Sequence, residues 1–275
     1  MTDNQQEDTV PHELQPELDK ALERLQASEL WAKILAHDPK VQSHYPRILS
    51  CSEYVADVLI RYPEAFLGLV ESGRLHQSCE TDDFQLLLAQ ELADVDSEDR
   101  FLAQVRKFRH RELVRIVWRD LCGWADQSET LADLSNLADA CIRAALQYAE
   151  DILQHQHGLP RDESGEEAHF VVVAMGKLGG GELNFSSDVD LVFLFSGHGE
   201  TDGDRSIANE EYFRKVARLF IDVLSRKTLD GFVYRVDARL RPFGDSGPLA
   251  VSVAAFEDYL LQHGRDWERY AWIKS

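Results

Sequence analysis

The sequence predicts an α+β protein, all-helical over residues 1–160 and α/β over residues 161–275. Three observations carry this. From about Pro11 to His157, apolar residues recur at spacings of three and four, as in Leu14, Leu18, Leu22 and Leu25 and again in Phe101, Val105 and Phe108. That is the period of helices with one buried stripe. Beyond Ala168 the texture changes to short β-branched and aromatic runs, HFVVVAMG and VDLVFLFS, which suit buried strands. Between the two textures, the polar, glycine-containing RDESGEEA reads as a linker at a domain boundary.

Turn signals at HDPK, RYPE, ESGR and DVDSED divide the first region into several antiparallel helices. The last of these is long, starting near Glu129 and stopped by Gly158 and Pro160. After the linker come a strand at HFVVVAMG, a second at VDLVFLFS, an amphipathic helix at SIANEEYFRKVARLFIDVLSRKTL, a third strand at GFVYRVDARL and a helix at VSVAAFEDYLLQHG. A helix therefore crosses between the second and third strands. No repeat of fixed period is evident.

The 275 residues suffice for one large or two small domains, and 44% of them are hydrophobic, so a sizeable core is available. Basic residues number 29 against 49 acidic ones, a net charge of −20. Such a surface disfavours nucleic-acid backbones and anionic membranes as partners. Cys51, Cys79, Cys122 and Cys141 are widely spaced with no CxxC pair, and read as buried thiols of a reducing compartment. The polar, acidic N-terminus lacks the order of a signal peptide, and no apolar run approaches the roughly 18 residues of a membrane span. A cytoplasmic protein is expected.

The chemistry concentrates in VVVAMGKLGGGELNFSSDVDLVFLF, residues 171–195. Side chains alternate along a strand, so Asp188 and Asp190 share a face with Cα atoms about 6.5–7 Å apart. Paired carboxylates suit a hard cation such as magnesium or manganese. Asp237, late in the third strand, is the natural third carboxylate of a site for phosphoryl or nucleotidyl transfer. Gly179 and Gly180 lie on the turn after the first strand, where bare backbone can approach a phosphate, and the Ser186 and Ser187 hydroxyls could bond the same group. The turn is neither a Walker A loop nor GxGxxG, since Lys177 precedes the glycines. Alone, an Asp-x-Asp pair is an ordinary strand end and a glycine triplet an ordinary turn; their combination with Asp237 points to the metal site. Arg239 and Arg241 either clamp phosphate oxygens or stand as ordinary surface residues. The basic run Arg106–Arg119, which includes His110, reads as a solvated helix face with salt bridges, or else as a docking surface for acidic protein. His155 and His157 fall at a helix end, where positive charge is favourable.

GKLGGGELNFSSDVDLVF, followed by DGFVYRVDARLRPFGDSGPLAVS and GRDWERYAWIK, resembles the bacterial bifunctional glutamine synthetase adenylyltransferase/adenylyl-removing enzymes. FRHRELVRIVWRDL resembles the helical segment before their first catalytic domain. The resemblance is specific over about residues 100–275 and looser before. It implies a nucleotidyltransferase domain of the DNA polymerase beta type, with a small mixed sheet. Asp188, Asp190 and Asp237 would be its catalytic and metal-binding residues, and Gly179 and Gly180 its glycine pair. The wording of LNFSSDVDLVF and VYRVDARLRPFGDSGPL resembles the first of the family's two catalytic domains. That domain removes AMP from an adenylylated tyrosine of glutamine synthetase with orthophosphate, releasing ADP, with Asp237 also placed to help deprotonate the phosphate. The alternatives are adenylyl transfer from ATP and an inactive docking fragment. The resemblance further implies glutamine and a PII-class nitrogen-signalling protein as regulators, acting through parts that lie outside this chain together with the second catalytic domain.

Overall fold

The computed structural model describes residues 10–26, 28–185 and 188–275. It is α+β, with helices α1 (Gln15–Leu25), α2 (Glu29–His37), α3 (Pro39–Cys51), α4 (Glu53–Arg61), α5 (Pro63–Glu71), α6 (Asp83–Leu92), α7 (Glu98–Leu121) and α8 (Gln127–His157) preceding the sheets. Two compact units emerge: residues up to Glu80 with Lys107–Asp133, and Thr81–Arg106 with Leu134–Ser275. The long helices α7 and α8 each contribute to both.

In the first unit the helix boundaries follow the turn chemistry. Asp38 of HDPK accepts from the Lys40 and Val41 amides at 2.8 and 3.3 Å, with Pro39 at the first helical position. Ser52 caps α4 in the same way, and Gly73 of ESGR takes φ 72°, a left-handed value that glycine adopts at no steric cost. The apolar stripes meet in one core that includes Trp31, Ile48, Leu59, Phe66 and Trp118.

The basic run is not a solvated face. Arg106, Arg109, Arg115 and Arg119 are all buried, and so is Glu112 among them. Arg74 grips the Glu112 carboxylate with two bonds of 3.0 Å, Arg111 donates to it at 2.8 Å and Arg115 at 3.3 Å. Arg115 also reaches Asp133 at 2.6 Å and Arg119 reaches Glu129 at 2.5 Å. Buried charge persists here because acidic partners from other segments meet it. His110 is held by its Nδ1 against the Tyr54 hydroxyl, 2.7 Å away, and stacks on Tyr62.

In the second unit, Arg106 is fully buried and donates to carbonyls: Leu102 at 2.8 Å, Gly231 at 2.9 Å, Val223 at 3.1 Å and Arg226 at 2.5 Å. Val223 and Arg226 lie at the C-terminal end of the helix Asn209–Ser225, whose last carbonyls lack helical donors. Arg106→Met is expected to destabilise the chain by about 3 kcal/mol, because it strands several buried carbonyls. The urea midpoint measures this, and a change under about 0.5 kcal/mol would mean that water replaces the guanidinium.

The linker stretch is partly a strand. β1 (Pro160–Asp162) pairs antiparallel with β4 (Gly199–Thr201), and Asp162 folds the following turn by accepting from the Ser164 and Glu166 amides. A three-residue strand is too short to show periodicity. The main sheet holds β2 (Phe170–Met175) antiparallel to β3 (Asp188–Phe195). On the other edge of β3, β5 (Arg235–Asp237) runs parallel beside its first half and β6 (Ala250–Ser252) beside its second. Parallel neighbours require a crossover, and α10 (Asn209–Ser225) supplies it as the sequence predicts. The short helix α9 (Gly176–Gly179) follows β2, while α11 (Val253–Gln262) and α12 (Asp266–Ala271) follow β6. Of GFVYRVDARL only Arg235–Asp237 is strand, although Val233 and Tyr234 are buried.

None of the four cysteines forms a disulfide, and only Cys141 is buried; Cys51 is exposed and the other two are half-buried. Among the described residues, no helix is long and apolar enough to cross a membrane.

Candidate active site

The parallel pairing of β3 with β5 assembles the carboxylates. Val189 is buried against the core, so its neighbours Asp188 and Asp190 turn to the opposite face. Asp237 is the register partner of Asp190 and Arg235 that of Asp188. Asp188, Asp190, Asp237, Arg235, Arg239 and Arg241 all line one open cavity of about 630 Å³.

The three carboxylates sit in different electrostatic surroundings. Asp188 accepts from the Arg235 Nε. Asp237 accepts from the Arg239 amide at 2.9 Å and from its Nε at 2.9–3.0 Å, and the Arg239 side chain holds its carboxyl below the usual range. Among the described residues none donates a hydrogen bond to Asp190. Burial pushes the Asp190 carboxyl up, and repulsion from Asp237 and Asp188 adds to the effect. Arg241 points into its own loop, donating to the Ala238 carbonyl at 2.7 Å and the Gly247 carbonyl at 3.4 Å.

Among the described residues, no three His, Cys, Asp or Glu side chains converge as a ready metal cage, and arginines engage Asp188 and Asp237. The donor set nevertheless fits a hard dication: carboxylate oxygens without thiolate or imidazole, on one strand face and its register partner. The mutual repulsion felt at Asp190 is what such a cation would relieve.

The glycine turn packs closely beside the carboxylates. The Gly180 amide closes the turn on the Gly176 carbonyl at 3.1 Å, and that of Gly181 does so on Leu178 at 3.0 Å. The Gly180 N–H is thus engaged within the turn. A Cβ on Gly179 would lie 2.4 Å from both the Ala174 and Lys274 carbonyl oxygens, so glycine there permits close chain packing. Ser186 and Ser187 lie outside the described residues. Two residues beside the carboxylates escaped the sequence reading. Gly176 has φ 62°, and a Cβ on it would stand 3.2 Å from the Asp190 Oδ2; a glycine directly after a strand was the available signal. Arg235, two positions before Asp237, was accessible from strand alternation.

Residues 43–275 match the family described as glutamate-ammonia ligase adenylyltransferase. The chain belongs to this family. Over 275 residues it is 41% identical to a bifunctional glutamine synthetase adenylyltransferase/adenylyl-removing enzyme of Shewanella loihica, an alignment covering 99% of the chain and 28% of the relative. The adenylyltransferase relative of the same description from Nitrosococcus oceani is 47% identical over 83% of the chain and 24% of its own length. That of Pseudomonas aeruginosa is 42% identical over 94% and 26%. The chain thus spans about a quarter of the length of these adenylyltransferase relatives. The family match takes in the carboxylate strands, the glycine turn and most of the helical region.

Proposed function

We propose that this chain carries the adenylyl-removing activity of its family: phosphorolysis of AMP from the adenylylated tyrosine of glutamine synthetase. The observation that carries the reading is the register of Asp190 with Asp237 beside Asp188, three carboxylates on one cavity of a nucleotidyltransferase-type sheet. Magnesium or manganese held by these three would offset the repulsion between two phosphate anions. In the reaction an orthophosphate oxygen bonds to the AMP phosphorus and the phosphorus–tyrosine oxygen bond breaks, giving ADP and tyrosine. A phenol with a pKa near 10 leaves with little protonation. No histidine is therefore required, and Asp237, held acidic by Arg239, is a poor base. Arg235 and Arg239, released from their aspartates by a bound cation, would turn to phosphate oxygens.

Incubating the chain with adenylylated glutamine synthetase, magnesium and orthophosphate should release ADP, with none formed by Asp188→Asn or in the absence of phosphate. AMP incorporation from ATP into unmodified glutamine synthetase, without phosphate-dependent ADP, would assign the transferase reaction to the same residues. Neither product from folded protein would leave a docking fragment.

A further inference from the structure

Lys274 stands across the glycine turn from Asp190. Its place is set by the core: Trp272 packs on Phe256 with ring centroids 4.5 Å apart, against the cluster of Met175, Val192 and Leu194 beneath the sheet. The main chain of Lys274 then passes so close to Gly179 that only glycine fits, and its side-chain stem runs 3.6 Å from the Cβ position of Gly180. The ammonium ends 2.7 Å from Glu182, both side chains more than half exposed. An exposed pair of this kind contributes little to stability, and among the described residues the Glu182 bond leaves two of the three ammonium donors unused.

At the other end of the same turn, the Cβ position of Gly176 lies 3.2 Å from the Asp190 Oδ2, so the turn starts beside that carboxylate. One short helical turn separates the two ends, about 6 Å along the axis at 1.5 Å per residue. A diphosphate anchored through a cation on Asp190 would therefore extend along the turn toward a lysine, a point charge suited to phosphate.

We infer that Lys274 is a phosphate-positioning residue that holds the distal phosphate of a nucleoside diphosphate, equivalently the incoming orthophosphate, by exchanging Glu182 for it. The inference rests on the proposed phosphorolysis. It assigns an anion contact to the segment that packs on the glycine turn.

Calorimetric titration of the full chain with MgADP, MgAMP and orthophosphate tests it. Lys274→Met should weaken MgADP and orthophosphate about tenfold, the loss of one charge-assisted bond, and leave MgAMP unchanged. Glu182→Gln should tighten MgADP about threefold by freeing the lysine, and Lys274→Arg should stay within about threefold of the original chain. A merely structural ion pair would give both Lys274→Met and Glu182→Gln the same sign. Equal losses for MgAMP and MgADP, or an equal loss in Lys177→Met on the same turn, would reduce the effect to general charge and overturn the inference. Unchanged MgADP affinity in Lys274→Met overturns the lysine role alone. No MgADP binding by the unaltered chain overturns the proposed phosphorolysis with it.

Discussion

Asp190→Asn is expected to lower phosphate-dependent ADP release about a thousandfold or more while making the metal-free chain more resistant to heat. The two effects have one cause. The Asp190 carboxyl is pushed up first by burial and then by Asp237 and Asp188, so its ionised form is disfavoured in the metal-free fold. A carboxyl raised in this way favours folding below its ordinary range, and that advantage is lost as the pH rises through the raised value. The melting-temperature gap between variant and parent should therefore open with rising pH and close in acid. Magnesium should reverse the order: at 100 times its Kd a bound ion adds about 2.7 kcal/mol to the parent and nothing to a variant that cannot hold it. Thermal melts with and without magnesium, run beside the ADP assay, decide the matter. A variant that melts lower without metal would make Asp190 an ordinary structural residue.

The parts legible in the sequence were those set by local chemistry. Pro39, Pro63 and Gly73 mark helix ends that the structure reproduces, because proline and glycine act on their own backbone. Alternation along β3 placed Asp188 and Asp190 on one face without any knowledge of neighbours. The pairing of Asp237 with Asp190 was only inferable, since three-residue β5 carries no period of its own. What stayed hidden depends on distant partners. Arg115 looks like any surface arginine until Asp133 and Glu112 are seen beside it, and the linker becomes β1 only because Gly199–Thr201 comes to pair with it. Lys274, almost a hundred residues beyond the glycine turn, gave no signal that it returns to Gly180.

Glu112→Gln should cost the fold about 3–5 kcal/mol at neutral pH, the usual result of breaking a buried ion pair from one side. Burial alone would push the Glu112 carboxyl up, yet the guanidiniums of Arg111, Arg74 and Arg115 outweigh it and hold it below the usual range. A depressed carboxyl contributes stability above its unfolded value, near pH 4.5, and that contribution is lost as the pH falls through the depressed value. The parent and Glu112→Gln should accordingly converge in strong acid. Asp133, bonded to the same Arg115 at 2.6 Å, behaves oppositely: burial prevails and its carboxyl is pushed up. Its ionised form is then a net cost to the fold, and Asp133→Asn leaves Arg115 still paired with Glu112. Asp133→Asn should therefore destabilise the chain less than Glu112→Gln does. Urea unfolding of both variants at neutral pH, followed by circular dichroism, ranks them. If Asp133→Asn proved the more damaging, Arg115 would depend on Asp133 rather than on Glu112, and the buried run of α7 would be neutralised from α8.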